Sequence, residues 1–144
     1  MTRLHQATAV AIGDRALLIE GPPGSDKSSL ALALIDRGAQ LIGDDGVALV
    51  QRAGRLFASP PTATRGLIEV RNVGILPVDV VEDVAVALVI RLDPDAPRHV
   101  EQATTCARAD AVLPCIALYP DSPVLALRAE LALRRHGLAG GDAA

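Results

Sequence analysis

The nine residues Gly21-Pro22-Pro23-Gly24-Ser25-Asp26-Lys27-Ser28-Ser29 constrain this chain more than any other stretch. They follow an apolar, strand-like run, Ala16-Leu17-Leu18-Ile19, and lead directly into a helix-forming run from Leu30 to Ile35. A glycine- and proline-rich turn between strand and helix, closing on Lys-Ser, is the layout of a phosphate-binding loop. Successive backbone N–H groups and a helix N-terminus converge on one point there, and the lysine adds a full positive charge. On this reading Gly21, Gly24, Ser25, Asp26, Lys27, Ser28 and Ser29 form a nucleotide cradle. Lys27 holds the β- and γ-phosphates, and the Ser28 hydroxyl is a ligand to Mg²⁺. One residue breaks the pattern G-x-x-x-x-G-K-[ST]: Asp26 stands where glycine should precede the lysine. It brings a Cβ and a negative charge to a place where backbone approaches phosphate, and a pairing with Lys27 would withdraw that cation.

Composition narrows the rest. A chain of 144 residues is long enough for one domain with one real core, read here as residues 1–136 followed by a small-residue, flexible tail over 137–144. Half the residues are apolar, yet Phe57 and Tyr119 are the sole aromatics, so the core is aliphatic and base-stacking platforms are excluded. Net charge is −3 with no basic run, which argues against nucleic-acid or membrane-surface partners. There are two cysteines, Cys106 and Cys115, without metal-ligand spacing, and the N-terminus lacks a signal layout. A cytoplasmic protein with reduced thiols is the expectation.

Taken in order, residues 7–12 and 15–20 read as a hairpin feeding the loop. The helix over 27–36 is apolar nearly all round, which predicts a central, buried element, and Gly38 is suited to cap it. Short strands follow at 40–42, 47–50 and 56–58, then a glycine-bearing stretch at 65–76 and a strong buried strand at 84–92. Residues 93–98 read as a loop, 111–118 as a weaker strand, and 123–136 as a closing helix. The sum, about eight strands and two helices, is an α/β architecture with a mixed sheet.

Three further constellations bear on chemistry. Asp44-Asp45 ends the strand that should neighbour the loop strand. Such a pair supplies a metal-linked carboxylate and a general base for phosphoryl transfer, or is an ordinary acidic turn. Glu69 and Arg71 alternate onto one face of a strand, either as a solvated edge or as metal ligand and phosphate neutraliser. His5 lies just ahead of the first strand.

Together these pieces resemble the HPr kinase/phosphorylase family, in a short form that consists of the C-terminal catalytic domain. The resemblance spans about residues 4–136 and rests on His5, Gly21–Ser28, Leu34-Ile35-Asp36-Arg37-Gly38 leading to Asp44-Asp45, and Gly66–Ile75, which looks like the family signature. It implies a P-loop fold of the HPr kinase/phosphoenolpyruvate carboxykinase type. It also implies ATP and Mg²⁺ as cofactors, and phosphorylation of a serine on the phosphocarrier HPr, or its nitrogen-system counterpart, with the reverse phosphorolysis. By matching positions, Asp44 is the expected base and Asp45 the expected metal link, although the sequence does not separate the two. Ser28 and Glu69 complete the metal set, His5 supports the phosphate site, Arg71 serves the signature's structure or charge, and Arg98 is the match to a mobile-loop arginine. A homo-oligomer, hexameric by family habit, is implied. Asn72 replaces a signature glycine, a mild change because Asn tolerates positive φ. Asp26 leaves an alternative open: a catalytically impaired regulatory or binding homologue.

Overall fold

The computed structural model describes residues 2–140. Strands β1 (Thr2–His5), β2 (Thr8–Ile12) and β3 (Arg15–Glu20) precede helix α1 (Lys27–Asp36). After it come β4 (Gln40–Gly43), β5 (Val47–Arg52), β6 (Arg55–Ser59), β7 (Leu67–Val70), β8 (Gly74–Pro77) and β9 (Val84–Leu92). Strands β10 (Thr104–Arg108) and β11 (Ala111–Leu118) lead to helix α2 (Leu125–His136).

The Val84–Leu92 run forms the centre of the fold for the reason its composition suggests. Seven of its nine residues are fully buried, so it needs apolar cover on both faces. It pairs in parallel with β3 along one edge. Its other edge is shared, antiparallel to β6 at Val84–Ala85 and parallel to β11 from Val89 to Leu92. Nine strands join this mixed sheet, running β1-β5-β6-β9-β3-β2-β4 with β11 and β10 branching from β9.

Alternation sorts the side chains into two aliphatic cores. Leu17, Ile19, Leu88 and Ile90 face the helices with Leu30, Leu34 and Leu133. Ala16, Leu18, Val86 and Val89 face the inside of the curled sheet with Val47, Leu49 and Leu56. A bulge between Ala16 and Leu17 in the β3–β9 pairing keeps the two sets in phase.

Several expectations are corrected. Helix α1 flanks the sheet instead of lying at its centre: Leu30, Ala31 and Leu34 are buried, while Leu32 is 39 % exposed. Its apolar character all round reflects composition, not full burial. The count of strands is eleven among the described residues: β1 is a short piece whose partner β5 lies far along the chain, and β10 is a short piece that forms a hairpin with β11. The stretch 65–76 is no single strand. It folds into a separate β7–β8 hairpin, with Val70 opposite Gly74, so Arg71 lies in the turn and not beside Glu69 on one face. Asn72 in that turn has φ 70°, a left-handed conformation that Asn accepts.

The start of the expected tail is docked. Leu138 N–H donates to Ala87 O (2.9 Å), and Arg15 donates to the carbonyls of Leu133 and Leu138 (both 3.4 Å). Arg55 also donates to the Ala139 carbonyl. Residues 141–144 lie outside the described residues. Truncation after His136 removes the bonds made by Leu138 and Ala139 and the Leu138 contact with both cores. It is expected to cost about 1–3 kcal/mol in urea unfolding, and an unchanged midpoint would contradict the docking.

Candidate functional site

The loop emerges from the C-terminal end of β3, in the middle of the sheet, and feeds α1. Gly21 is closely packed: a Cβ there would stand 2.5 Å from Ser25 Oγ and 3.3 Å from Leu92 Cβ, so the Ser25 side chain would have to move. Ser25 N–H closes the turn onto Pro22 O (3.1 Å), and Ser25 Oγ is buried with no hydrogen-bond partner. Lys27 Nζ donates to the carbonyls of Gly21 (3.0 Å) and Pro22 (3.5 Å), folding over the loop it belongs to.

Asp26 solves its problem locally. It adopts the left-handed conformation (φ 74°, ψ 40°) that the missing glycine would supply, at a cost of about 1–2 kcal/mol. Its Oδ1 accepts from Ser29 Oγ (2.6 Å) and lies 3.6 Å from Arg71 Nη2, an ion pair that reaches over from the β7–β8 turn. Asp26 makes no ion pair with Lys27 among the described residues, so the expected withdrawal of the lysine does not occur.

The two aspartates occupy unlike environments. Gly43 allows their turn to close: a Cβ there would be 2.1 Å from Gly46 O. Asp44 is enveloped by donors. Its Oδ1 accepts from Ser28 Oγ (2.6 Å) and from the buried Thr8 Oγ1 (3.2 Å), and its Oδ2 accepts from Glu69 N–H (2.8 Å). Asp45 takes φ 57°, ties its backbone N–H to Thr8 Oγ1 (3.2 Å), and leaves its carboxylate free of side-chain hydrogen bonds among the described residues. Asp44 is thus the carboxylate coupled to Ser28, and Asp45 is the one that lines the cavity.

That cavity, about 950 Å³, gathers most of the predicted residues. All the predicted loop residues except Ser25, together with His5, Asp45, Glu69 and Arg71, face it. Arg98 does not; it is exposed in the segment between β9 and β10. No group of three or more His, Cys, Asp or Glu side chains suited to a metal exists among the described residues. The donors that face the cavity still fit Mg·ATP: Lys27, and Ser28 bonded to Asp44. Mg²⁺ keeps waters and shares substrate phosphates, so it needs no protein cage.

Four contributors were invisible in the sequence. Thr8, the buried polar residue of β2, organises both aspartates. Arg91, opposite Glu20 in the β3–β9 register, lines the cavity. Glu20 itself accepts from His5 Nε2 (2.7 Å) and from both prongs of Arg108 (2.8 and 2.7 Å). Only a strand order that brings β1, β3 and β10 to one place reveals that group. Cys106 and Cys115 are free, and burial, followed by the neighbouring Cys115, pushes the Cys106 thiol up to about 11, which keeps it protonated and unreactive at neutral pH.

Burial alone would raise the Glu20 carboxyl, but the hydrogen bonds and charges of Arg108 and His5 outweigh it and lower it from 4.5 to about 2. A depressed carboxylate contributes stability that is present above its unfolded pKa and lost as pH falls from about 4.5 through about 2. With Glu20 only 14 % exposed, the contribution at neutral pH is about 3 kcal/mol. Glu20→Gln is therefore expected to flatten the acid limb of a stability–pH profile between pH 4.5 and 2, and a profile identical to wild type would contradict it.

Comparison with known proteins agrees with this geometry. Residues 1–94 match the model of the HPr Serine kinase C-terminal domain. Over 77 residues, 54 % of this chain, the sequence is 43 % identical to an HPr kinase/phosphorylase of Clostridium tetani and 44 % identical to one of Clostridium botulinum. The match spans 25 % of the length of those relatives. The fold superimposes on the structure of the Hpr(Ser) kinase/phosphatase from Coxiella burnetii with a TM-score of 0.80 and 31 % identity, covering 92 % of this chain and 88 % of that one. A loop, acidic pair and signature hairpin arranged around one cavity, on a fold shared almost end to end, leave one conclusion: the chain belongs to the HPr serine kinase C-terminal domain family.

Proposed function

We propose that this chain binds Mg·ATP and transfers the terminal phosphoryl group to a serine hydroxyl of the phosphocarrier HPr or its nitrogen-system counterpart, with phosphorolysis as the reverse reaction. The observation that carries the reading is the unlike pair of aspartates: Asp44 bonded to Ser28 at 2.6 Å, and Asp45 free at the cavity wall.

In this reading Lys27 leaves the Gly21 and Pro22 carbonyls for the phosphates, exchanging neutral acceptors for charged ones. Ser28, with Asp44 behind it, and Glu69 hold Mg²⁺, whose role is to neutralise charge on the phosphates. Asp44 already accepts three hydrogen bonds, so both of its oxygens are engaged. Asp45 has none on its carboxylate, so it is the better acceptor for the serine proton, and the donor of that proton in phosphorolysis. Arg71 faces the cavity from the hairpin turn and tempers Asp26. His5 supports the site through Glu20. A working partner of HPr would reside in the cytoplasm, and a homo-oligomer, hexameric by family habit, belongs to the same proposal. No helix of the described residues is long and apolar enough to cross a membrane.

A second reading has one observation in its favour: Asp26 keeps its carboxylate at the cavity, where a phosphate must approach. In it the chain binds HPr or a sensor partner as a regulatory homologue without catalysis.

Transfer of labelled phosphate from Mg·ATP to purified HPr tests the choice. Asp45→Asn is expected to slow transfer by about 10²–10⁴-fold with ATP affinity nearly unchanged. Asp44→Asn is expected to weaken Mg²⁺ dependence and lower stability by about 1–3 kcal/mol. Full transfer by Asp45→Asn would reject the base assignment. A wild-type chain that binds HPr and transfers nothing would favour the regulatory reading.

A further inference from the structure

Arg108 closes β10, beyond the residues 1–94 that the family model matches. Its guanidinium forks onto Glu20, Nε to Oε2 at 2.8 Å and Nη2 to Oε1 at 2.7 Å. His5 Nε2 completes the set at 2.7 Å from Oε2. The three side chains are 22, 14 and 28 % exposed, so the charges meet partly out of water. Glu20 is the last residue of β3, and the next carbonyl, that of Gly21, is the one Lys27 holds. A carboxylate therefore stands at the root of a loop built to receive anions, on the wall of the same cavity.

Such a charge is tolerable only if it is cancelled. Arg91 lies across the β3–β9 register from Glu20 and also faces the cavity, but makes no ion pair among the described residues, so the cancelling cation is Arg108. The bidentate geometry does a second thing: it fixes both carboxylate oxygens and so fixes the acceptor for His5. Because Glu20 stays ionised, Nε2 is the protonated nitrogen in that bond.

We propose that Arg108 is a positioning residue of the phosphate site: its fork on Glu20 cancels the carboxylate at the root of the loop and holds His5 at the cavity wall. The proposal rests on the nucleotide reading above. It predicts that the residue acts on ligand charge, which a purely structural role would not do.

Calorimetric titration of Mg·ATP, Mg·ADP and AMP into wild type, Arg108→Met, Arg108→Lys and the double variant Glu20→Gln/Arg108→Met tests it, with thermal melting to confirm folding. Arg108→Met is expected to weaken ATP about tenfold, ADP less and AMP least, since the penalty follows ligand charge. The double variant carries neither charge and is expected to return to within about threefold of wild type. Arg108→Lys, a point charge without the fork, is expected to fall between. Unchanged ATP affinity in Arg108→Met, or equal losses for all three nucleotides, would overturn the proposal alone. If Arg108→Met fails to fold, the double variant decides: affinity near wild type supports the proposal, and a tenfold loss overturns it. A wild type that binds none of the three nucleotides would overturn the nucleotide reading and this proposal with it.

Discussion

The Asp44 carboxylate is the point on which the site depends. It accepts from Ser28 at the start of α1, from Thr8 on β2, and from the Glu69 backbone on the β7–β8 hairpin. Three elements that have no common sheet register are thereby fixed to one group. A charge that accepts several hydrogen bonds in a partly buried place is costly to disturb, so the geometry of the loop, the hairpin and the acidic turn is set together. Asp45 benefits indirectly. Its backbone is held by the same Thr8 hydroxyl, in a left-handed conformation, and its side chain is left free.

Around the cavity three carboxylates have partners, while Asp45 and Glu69 line it with no side-chain partner among the described residues. Asp44 has Ser28, Glu20 has Arg108 and His5, and Asp26 has Ser29 and Arg71. Lys27 and Arg91 make no ion pair among the described residues. With Asp26 held by Ser29 and Arg71, the Lys27 charge is not consumed by the aspartate beside it. The Asp26–Arg71 contact is exposed and 3.6 Å long, so water and salt weaken it, whereas the Glu20–Arg108 fork is shielded.

What was legible in the sequence was what local pattern encodes. The loop, the Asp44-Asp45 turn and the central strand at 84–92 announced themselves through glycine placement, spacing and unbroken aliphatic runs. The hairpin turn is not legible, because Glu69 and Arg71 alternate whether or not the strand ends between them. The unlike environments of the two aspartates are not legible in the sequence, since they depend on Thr8 and Ser28, 36 and 16 residues from Asp44. Arg98 was chosen for its loop; Arg108, 88 residues from Glu20, reaches the site because β10 pairs with β11 and β11 with β9. Only long-range pairing makes that visible.

The central claim is that the loop accommodates Asp26 and still receives a nucleotide. Mg·ATP binding by wild type beside Asp26→Gly measures it directly. The structure, with Lys27 unpaired from Asp26 and Arg71 near its carboxylate, predicts that wild type binds and that the glycine variant gains no more than about tenfold. Binding by Asp26→Gly alone, with none by wild type, would contradict it.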